Sequence, residues 1–471
     1  MTRMPSYQLA DHQDVDFSVA MTGELDRALG QHLDKGPRQE DLTFAYWKPS
    51  RGARRYTAIL QRLNLPKSGD RHLQGNVAFT SEYLTRVLAE RPGDCGVALL
   101  HSHLGPGWQD MSEDDIVAER DRLGGLVASA SGLPVLGLTR GTDGAWSARF
   151  WFRSGRRQYE CRWASTVRSV GRHLRISYHP ALRQPSPTPP SQVATISVWG
   201  QSAQADLARA RVGIVGLGSV GSIVAEALSR TGLEQLILID PDHIEERNLD
   251  RTLGAYRSDV DGKLPKVKIA KRVVDASHTS TRFAAIDITD GIQGTEGLAN
   301  ALDCDAIMSC VDRPWPRHIL NVLAYSHLIP VVDGGILARV REDGRLLHVD
   351  WRIHTVGPGH GCLYCLDALR RSDVALDRDG LLDDPDYLKG LSEADRERYG
   401  RRNVFAFSLS VASHQVLQLV GLVSGNERVG GRGPQTYHAY PGAMEVGDTN
   451  PCFPDCDIRP LTGLAHENIQ E

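Results

Sequence analysis

The chain has 471 residues, a formal net charge of −4 at pH 7 and a hydrophobic share of 41%, so two or three soluble domains with sizeable cores are expected. No basic block points to nucleic acid or a membrane surface, and no window approaches the apolar length of a membrane span. The opening stretch MTRMPSYQLADHQDVDFSV lacks the apolar run of a signal peptide, which predicts a cytoplasmic location where the eight cysteines stay reduced and act as metal ligands or nucleophiles.

In chain order, the first half reads as mixed α/β, with strands at LTFAYW (42–47) and GVALLHSH (96–103). The second strand ends in His101 and His103, which period two places on one face at one rim. A glycine-rich turn follows, then SEDD, in which Ser112 and Asp115 form S-x-x-D on the first turn of a helix. Two imidazoles, a carboxylate and an open position make a catalytic zinc donor set. The same SEDD also spells a plain helix cap with carboxylates at the positive end of the dipole. The stretch RQPSPTPPSQ (183–192) can continue neither a helix nor a central strand and reads as a linker.

Beyond it the pattern is strand, glycine turn, helix, strand, as in a parallel doubly wound sheet. RVGIVGLGSVG carries GxGxxG at Gly216, Gly218 and Gly221, leading into the helix SIVAEALSRTG. Those glycines permit a tight turn, close approach to phosphate and packing of helix on strand. Asp240 ends the strand LEQLILID, where an acid holds a ribose, and Asp242 joins the nucleotide-binding set. Asn248, Arg251 and Lys266 follow. Hydride transfer needs no such basic pair, whereas cleavage of ATP between the α- and β-phosphates does, because charge builds on the leaving pyrophosphate. Asp312 follows the strand DAIMS, where a carboxylate suits Mg²⁺. The segment 367–403 is charged and poor in apolar residues, and reads as a mobile surface lid. VFAFSLSVASHQVLQLVGLVSG (404–425) reads as a buried helix ending at glycine. Two cysteine pairs, Cys362/Cys365 in GHGCLYCL and Cys452/Cys456 in NPCFPDC, suit a closed four-thiolate structural zinc.

From Trp199 to about Cys456 these motifs resemble the ThiF/MoeB/HesA family, bacterial relatives of the ubiquitin-activating enzymes. The resemblance implies a Rossmann-like adenylation domain that uses ATP and Mg²⁺ to adenylate the C-terminal glycine of a ubiquitin-like or sulfur-carrier protein. Asp240 would bind ribose, Asn248 and Arg251 would contact phosphates, Lys266 would contact the β- and γ-phosphates, and Asp312 would bind Mg²⁺. It further implies a homodimer and a downstream conjugating enzyme or sulfur donor. Two departures from the family pattern are the lack of an arginine in SQVATISVWGQSAQADL and Thr252 in place of a glutamine.

The H-x-H…S-x-x-D pattern resembles the JAB/JAMM metalloproteases over about residues 15–180, with Leu104 where a proline is common and, with Asp115 as ligand, a spacer one residue longer than the familiar one. That resemblance implies Zn²⁺ on His101, His103 and Asp115, with Asp114 the neighbouring alternative. It makes Glu40 the general base and Ser112 the support of the tetrahedral oxyanion. The expected architecture is then an α/β JAB-like domain over 1–182, a linker over 183–195 and the adenylation domain over 196–471. One chain would trim a glycine-ending precursor and then activate it. The alternatives are a non-catalytic docking module in the first half, or a dinucleotide-dependent oxidoreductase, which leaves Arg251, Lys266 and Asp312 without a role. Residues 366–451 contain no cysteine, so the acyl-adenylate is expected to pass to an outside thiol or sulfur donor.

Overall fold

The computed structural model describes residues 15–36, 39–74, 76–341, 343, 345–392, 402–426, 428–430, 433–447 and 452–466. The chain divides into two units, one built from residues up to 170 with 175–184 and 463–465, the other from 171–174, 185–462 and the end of the chain. The division at 184/185 falls inside the proline-rich stretch. That stretch was expected to remain a linker to 195, but Pro190 opens a 3-10 turn and a helix runs from Val193. A proline at the first helical position loses no hydrogen bond there.

The first unit runs β1 (Asp16–Thr22), α1 (Gly23–Leu33), β2 (Leu42–Arg51), β3 (Arg55–Asn64), β4 (Arg71–Gln74), β5 (Asn76–Phe79), α2 (Ser81–Ala89) and β6 (Gly96–Ser102). It continues through α3 (Glu113–Ile116), a π-helical turn (Val117–Leu123), α4 (Gly124–Ser131), β7 (Val135–Arg140), β8 (Trp146–Gly155), β9 (Gln158–Trp163), β10 (Thr166–Val170) and β11 (Leu174–Tyr178). Nine strands form one mixed sheet in the order β11-β10-β1-β3-β2-β6-β7-β8-β9, with β4 and β5 paired apart from it. Central strands are apolar on both faces, because both faces are covered. In β2, Phe44 and Tyr46 enter one core while Ala45 and Trp47 enter the other. In β6, Val97 and Leu99 enter the first of these cores, Ala98 and Leu100 the second. The alternation continues past Leu99, so His101 and His103 project on the Val97 side.

The second unit runs α5 (Val193–Trp199), α6 (Gln201–Arg209), β12 (Arg211–Val215), α7 (Ser219–Thr231), β13 (Gln235–Ile239), α8 (Arg257–Asp261), α9 (Lys266–Ser277), β14 (Ala284–Ile288), α10 (Thr295–Ala301), β15 (Ala306–Ser309) and α11 (Pro314–Ser326). It ends with β16 (Val331–Val340), β17 (Leu346–Val356), α12 (Arg371–Arg378), α13 (Pro385–Gly390), a helix here called α14 (Phe405–Ser424), β18 (Gln435–His438) and β19 (Ala443–Val446). Its eight-stranded sheet has the order β14-β13-β12-β15-β16-β17-β18-β19. Strands β14 to β16 pair in parallel and the rest antiparallel. The chain leaves β12 towards β13 on one side and returns to β15 on the other. A crevice therefore opens at the carboxyl ends of β12 and β15, the switch point where such sheets take ligands.

The expected lid contains α12 and α13, and its residues 393–401 lie outside those described. The sequence suggested no membrane-length window. Helix α14 nonetheless has the length and composition to cross a membrane, and more than half of that window is buried within the protein. Its apolarity comes from packing on the sheet, where the Gln415 amide donates to the carbonyls of Ser309 (3.0 Å) and Val332 (3.1 Å).

Candidate functional sites

In the second unit, the turn after β12 is built by backbone contact. Gly216 has φ +87°, and a Cβ there would stand 2.8 Å from the Cys310 carbonyl oxygen. A Cβ on Gly221 would stand 1.8 Å from the Gly216 carbonyl oxygen, so α7 can seat against the turn only as glycine. Gly218 caps α7, whose amino end opens at the turn.

The two aspartates after β13 separate sharply. Asp240 is 4% exposed, and its carboxylate accepts from the backbone N–H of Leu217 (2.5 Å) and of Asp242 (2.8 Å). Burial pushes its carboxyl up, against the opposing pull of the Lys266 charge and those two N–H groups. Asp240 thus ties the glycine turn to β13, with one backbone N–H on each oxygen. The Asp242 side chain is 62% exposed and pairs with Lys266 Nζ at 2.7 Å. Sequence spacing favoured Asp240 for a ribose; burial puts Asp242 on the open side. Lys266 opens α9, and its backbone N–H donates to the Asp242 carbonyl at 2.9 Å.

Asn248 closes a 3-10 turn, its side-chain oxygen accepting from the Glu245 N–H at 3.1 Å. Arg251 follows, its guanidinium donating to the Arg247 carbonyl and to Asp250, each at 2.7 Å. Asp312 is exposed on the loop after β15. Gly216, Asp240 and Asp312 thus follow β12, β13 and β15 at their carboxyl ends.

The four cysteines of the two pairs converge, all four sulfurs lying within 4.8 Å of one another. Cys362 Sγ and Cys456 Sγ are 3.6 Å apart. A tetrahedral zinc with bonds of about 2.3 Å sets its sulfurs about 3.8 Å apart, so the cluster fits that ion. The Cys362 N–H reaches Cys452 Sγ at 3.2 Å, and the Cys365 N–H reaches Cys362 Sγ at 3.5 Å. Such N–H donors stabilise thiolates. The contact with Cys362 holds Cys452 at about 5, while Cys362 itself is pushed far up by sharing its proton.

In the first unit, His101 Nε2 lies 3.0 Å from one Asp115 oxygen, and His103 Nε2 lies 3.2 Å from the other. The two Nε2 atoms are 3.2 Å apart. Ligand atoms around a tetrahedral zinc stand about 3.3 Å apart, so this set fits as well. Burial pushes the Asp115 carboxyl up, but hydrogen bonds with His101 and His103 overcome it and hold the group well below the usual carboxylate range.

The helix cap and the ligand set are the same residues. The Ser112 hydroxyl accepts from the Asp115 N–H (3.2 Å), and the Ser112 N–H donates to Asp115 Oδ2 (2.8 Å), fixing the carboxylate that meets the histidines. Asp114 lies apart, facing Asn76 at 3.5 Å. Glu40 stands between α1 and β2. The register pairs Leu42 with His101, and the Asp41 N–H donates to the Ser102 hydroxyl at 3.0 Å. Continuing that register sets Glu40 opposite His103. Burial raises its carboxyl, against the pull of His103 and His101.

A parallel doubly wound sheet with a glycine turn, an acid and a lysine at its switch point defines a Rossmann-like α/β unit. The ThiF family model matches residues 191–446, more than half of the chain, and the chain belongs to the ThiF family. The match leaves the first unit outside it. The chain is 30% identical over 188 residues to the sulfur carrier protein ThiS adenylyltransferase of Bacillus subtilis, covering 39% of this chain and 52% of that protein. It is 26% identical over 167 residues to the adenylyltransferase and sulfurtransferase UBA4 of Yarrowia lipolytica, covering 35% and 39%. It is 30% identical over 135 residues to the ubiquitin-like modifier-activating enzyme 5 of Drosophila virilis, covering 26% and 33%. The alignments thus span between a third and about half of these relatives. The crystal structure of E. coli MccB with ATP is 18% identical, with a TM-score of 0.41 over 54% of this chain and 68% of that one.

Proposed function

We propose that the second unit adenylates the C-terminal glycine carboxylate of a ubiquitin-like or sulfur-carrier protein. That carboxylate attacks the α-phosphorus of ATP, the bond to the bridging oxygen breaks, and pyrophosphate leaves with the electron pair. The observation that carries this reading is the Asp242–Lys266 pair beside the glycine turn at the switch point. Asp242 takes the ribose hydroxyls, which releases Lys266 to the β- and γ-phosphates. Asn248 and Arg251 hold phosphate oxygens, and Asp312 holds the Mg²⁺ that accompanies the leaving group. A homodimer and hand-over to a conjugating enzyme or sulfur donor belong to the same proposal. The test is ATP–pyrophosphate exchange that depends on a protein ending in glycine. Asp312→Ala is expected to lower it at least about a hundredfold, and unchanged exchange would refute the assignment.

The first unit supports a second reading, a JAB/JAMM-type zinc hydrolase that trims the same glycine terminus. Its carrying observation is the convergence of both Nε2 atoms on the two Asp115 oxygens, with Glu40 alongside. Glu40 takes the proton of the attacking water, and Ser112 supports the tetrahedral oxyanion. Cleavage of a glycine-extended precursor by the full chain, lost in Glu40→Gln, tests it; equal cleavage by that variant removes Glu40 from the role of base, and no cleavage by the wild type leaves the docking-module alternative standing.

A further inference from the structure

Glu119 and Arg149 form an ion pair whose side chains are both fully buried. Desolvating two charges costs about as much as their attraction returns, so an apolar pair of similar volume would serve the core equally well. The first unit nevertheless rearranges its local structure around this pair. The helix carrying Glu119 widens into a π turn over Val117–Leu123, a form that is rare and clusters at functional places. Gly137 on β7 leaves the space, since a Cβ there would stand 2.3 Å from both carboxylate oxygens of Glu119. Trp151 Nε1 donates to Glu119 at 2.8 Å, and Arg149 Nε donates to the same oxygen at 2.9 Å.

The pair touches both halves of the histidine–aspartate set. On the helix side, Glu119 lies four residues beyond Asp115 on one continuous helical run, so pinning it fixes how far and at what rotation Asp115 is presented. On the sheet side, Arg149 Nη1 donates to the Thr139 hydroxyl. Thr139 is the register partner of His101 on the neighbouring strand, and its hydroxyl lies 3.4 Å from His101 Nε2. Because Nε2 is the ligand atom, Thr139 meets His101 by packing alone, and the hold of the pair on the set runs through the helix.

We propose that the Glu119–Arg149 pair, by pinning the helical run that carries Asp115, is the positioning device of the His101–His103–Asp115 ligand set. The inference rests on reading that set as a metal site. Support of a ligand from outside the metal's own shell is worth about ten- to a hundredfold in affinity.

The test titrates cobalt(II) into the full chain with the cysteine cluster already loaded with zinc, and follows the visible absorption of cobalt on nitrogen and oxygen ligands. The variant Glu119→Leu with Arg149→Met keeps charge balance and volume. It is expected to bind cobalt ten- to a hundredfold more weakly, and to melt slightly lower because the Trp151 N–H loses its acceptor. Glu119→Ala is expected to weaken binding, and Glu119→Gln, which keeps the shape and the acceptor for Trp151, to restore most of it. Affinities equal to wild type in the double variant, or in Glu119→Ala should the double variant not fold, overturn the inference and leave the metal site standing. A wild-type chain that takes up no cobalt at the histidines overturns the metal reading and the inference with it.

Discussion

Asp240 and Asp242 stand two residues apart, one buried and one exposed, and the proposal gives the ribose to the exposed one. Both lie in the short string IDPDH, and no spacing rule distinguishes them within two residues. The discriminant is that both Asp240 oxygens already accept backbone N–H groups. Asp242→Asn is therefore expected to weaken ATP binding about tenfold while leaving the melting temperature within a degree or two. Asp240→Asn keeps one acceptor but puts an N–H₂ against a backbone donor, and is expected to destabilise the turn by about 1–3 kcal/mol. Calorimetric ATP titration and thermal melts of the two variants check both outcomes; equal loss of affinity without destabilisation in Asp240→Asn would reverse the assignment.

The thiols carry a second residue-scale prediction. Outside the cluster of four, burial pushes Cys95 up to about 11 and Cys161 up to about 12, and it raises Cys310 further. Cys304 is fully buried. A nucleophilic thiolate needs both access and a lowered pKa; Cys95 and Cys304 are buried, and the thiols of the half-buried Cys161 and Cys310 are raised. Enzyme, ATP and a glycine-ending substrate are therefore expected to give no reductant-sensitive adduct on non-reducing gels. An adduct abolished by mutating one of these four cysteines would overturn that expectation.

At the scale of elements, Asp26 joins α1 to the sheet. Its carboxylate accepts from Trp146 Nε1 at 2.9 Å and Arg140 Nη1 at 3.1 Å, and it pairs with Arg175. Burial alone would raise its carboxyl, but the Trp146 hydrogen bond and the Arg175 charge outweigh it and hold the group below its usual value of 3.8. A depressed folded value means that Asp26 contributes stability in full above the unfolded value. That contribution is lost as the pH falls below about 4 and passes through the folded value. Asp26→Asn is expected to flatten the acid limb of the first unit's stability curve, and Asp26→Ala to cost about 3 kcal/mol at pH 7. Urea melts between pH 3 and 7 measure both.

Elements with a strong local pattern were legible. The strands around Phe44 and Leu99 alternate between two cores, and α7 follows a glycine turn whose spacing steric contact dictates. The meeting of His101, His103 and Asp115 was legible for the same reason, since the capping serine and the strand period each fix one side chain. Glu119 was not. VAERDRL reads as a solvated helix face, and only the π turn and the absent side chain of Gly137 bring its acid inside. Helix α14 was legible as a buried helix ending at glycine, although burial in a protein core and burial in lipid select the same residues.

For the whole molecule, the proposal predicts two zinc ions per chain. His101→Ala with His103→Ala is expected to remove one, and Cys362→Ser with Cys365→Ser the other, by metal analysis of the purified variants. One ion in the wild type, retained in the histidine variant, would leave the first unit without a metal. The two cysteine pairs also act on chain topology. Cys362 and Cys452 are ninety residues apart in the chain yet in contact, and α14, β18 and β19 lie between them. An ion bound to all four sulfurs makes this span a closed ring, and the unfolded chain loses the entropy of keeping those ends apart. The parallel strands β12 to β15 precede the ring and gain nothing from its closure. Chelation should therefore loosen the molecule unevenly, with amide exchange accelerating in β18 and β19 while β12, β13 and β15 keep their protection.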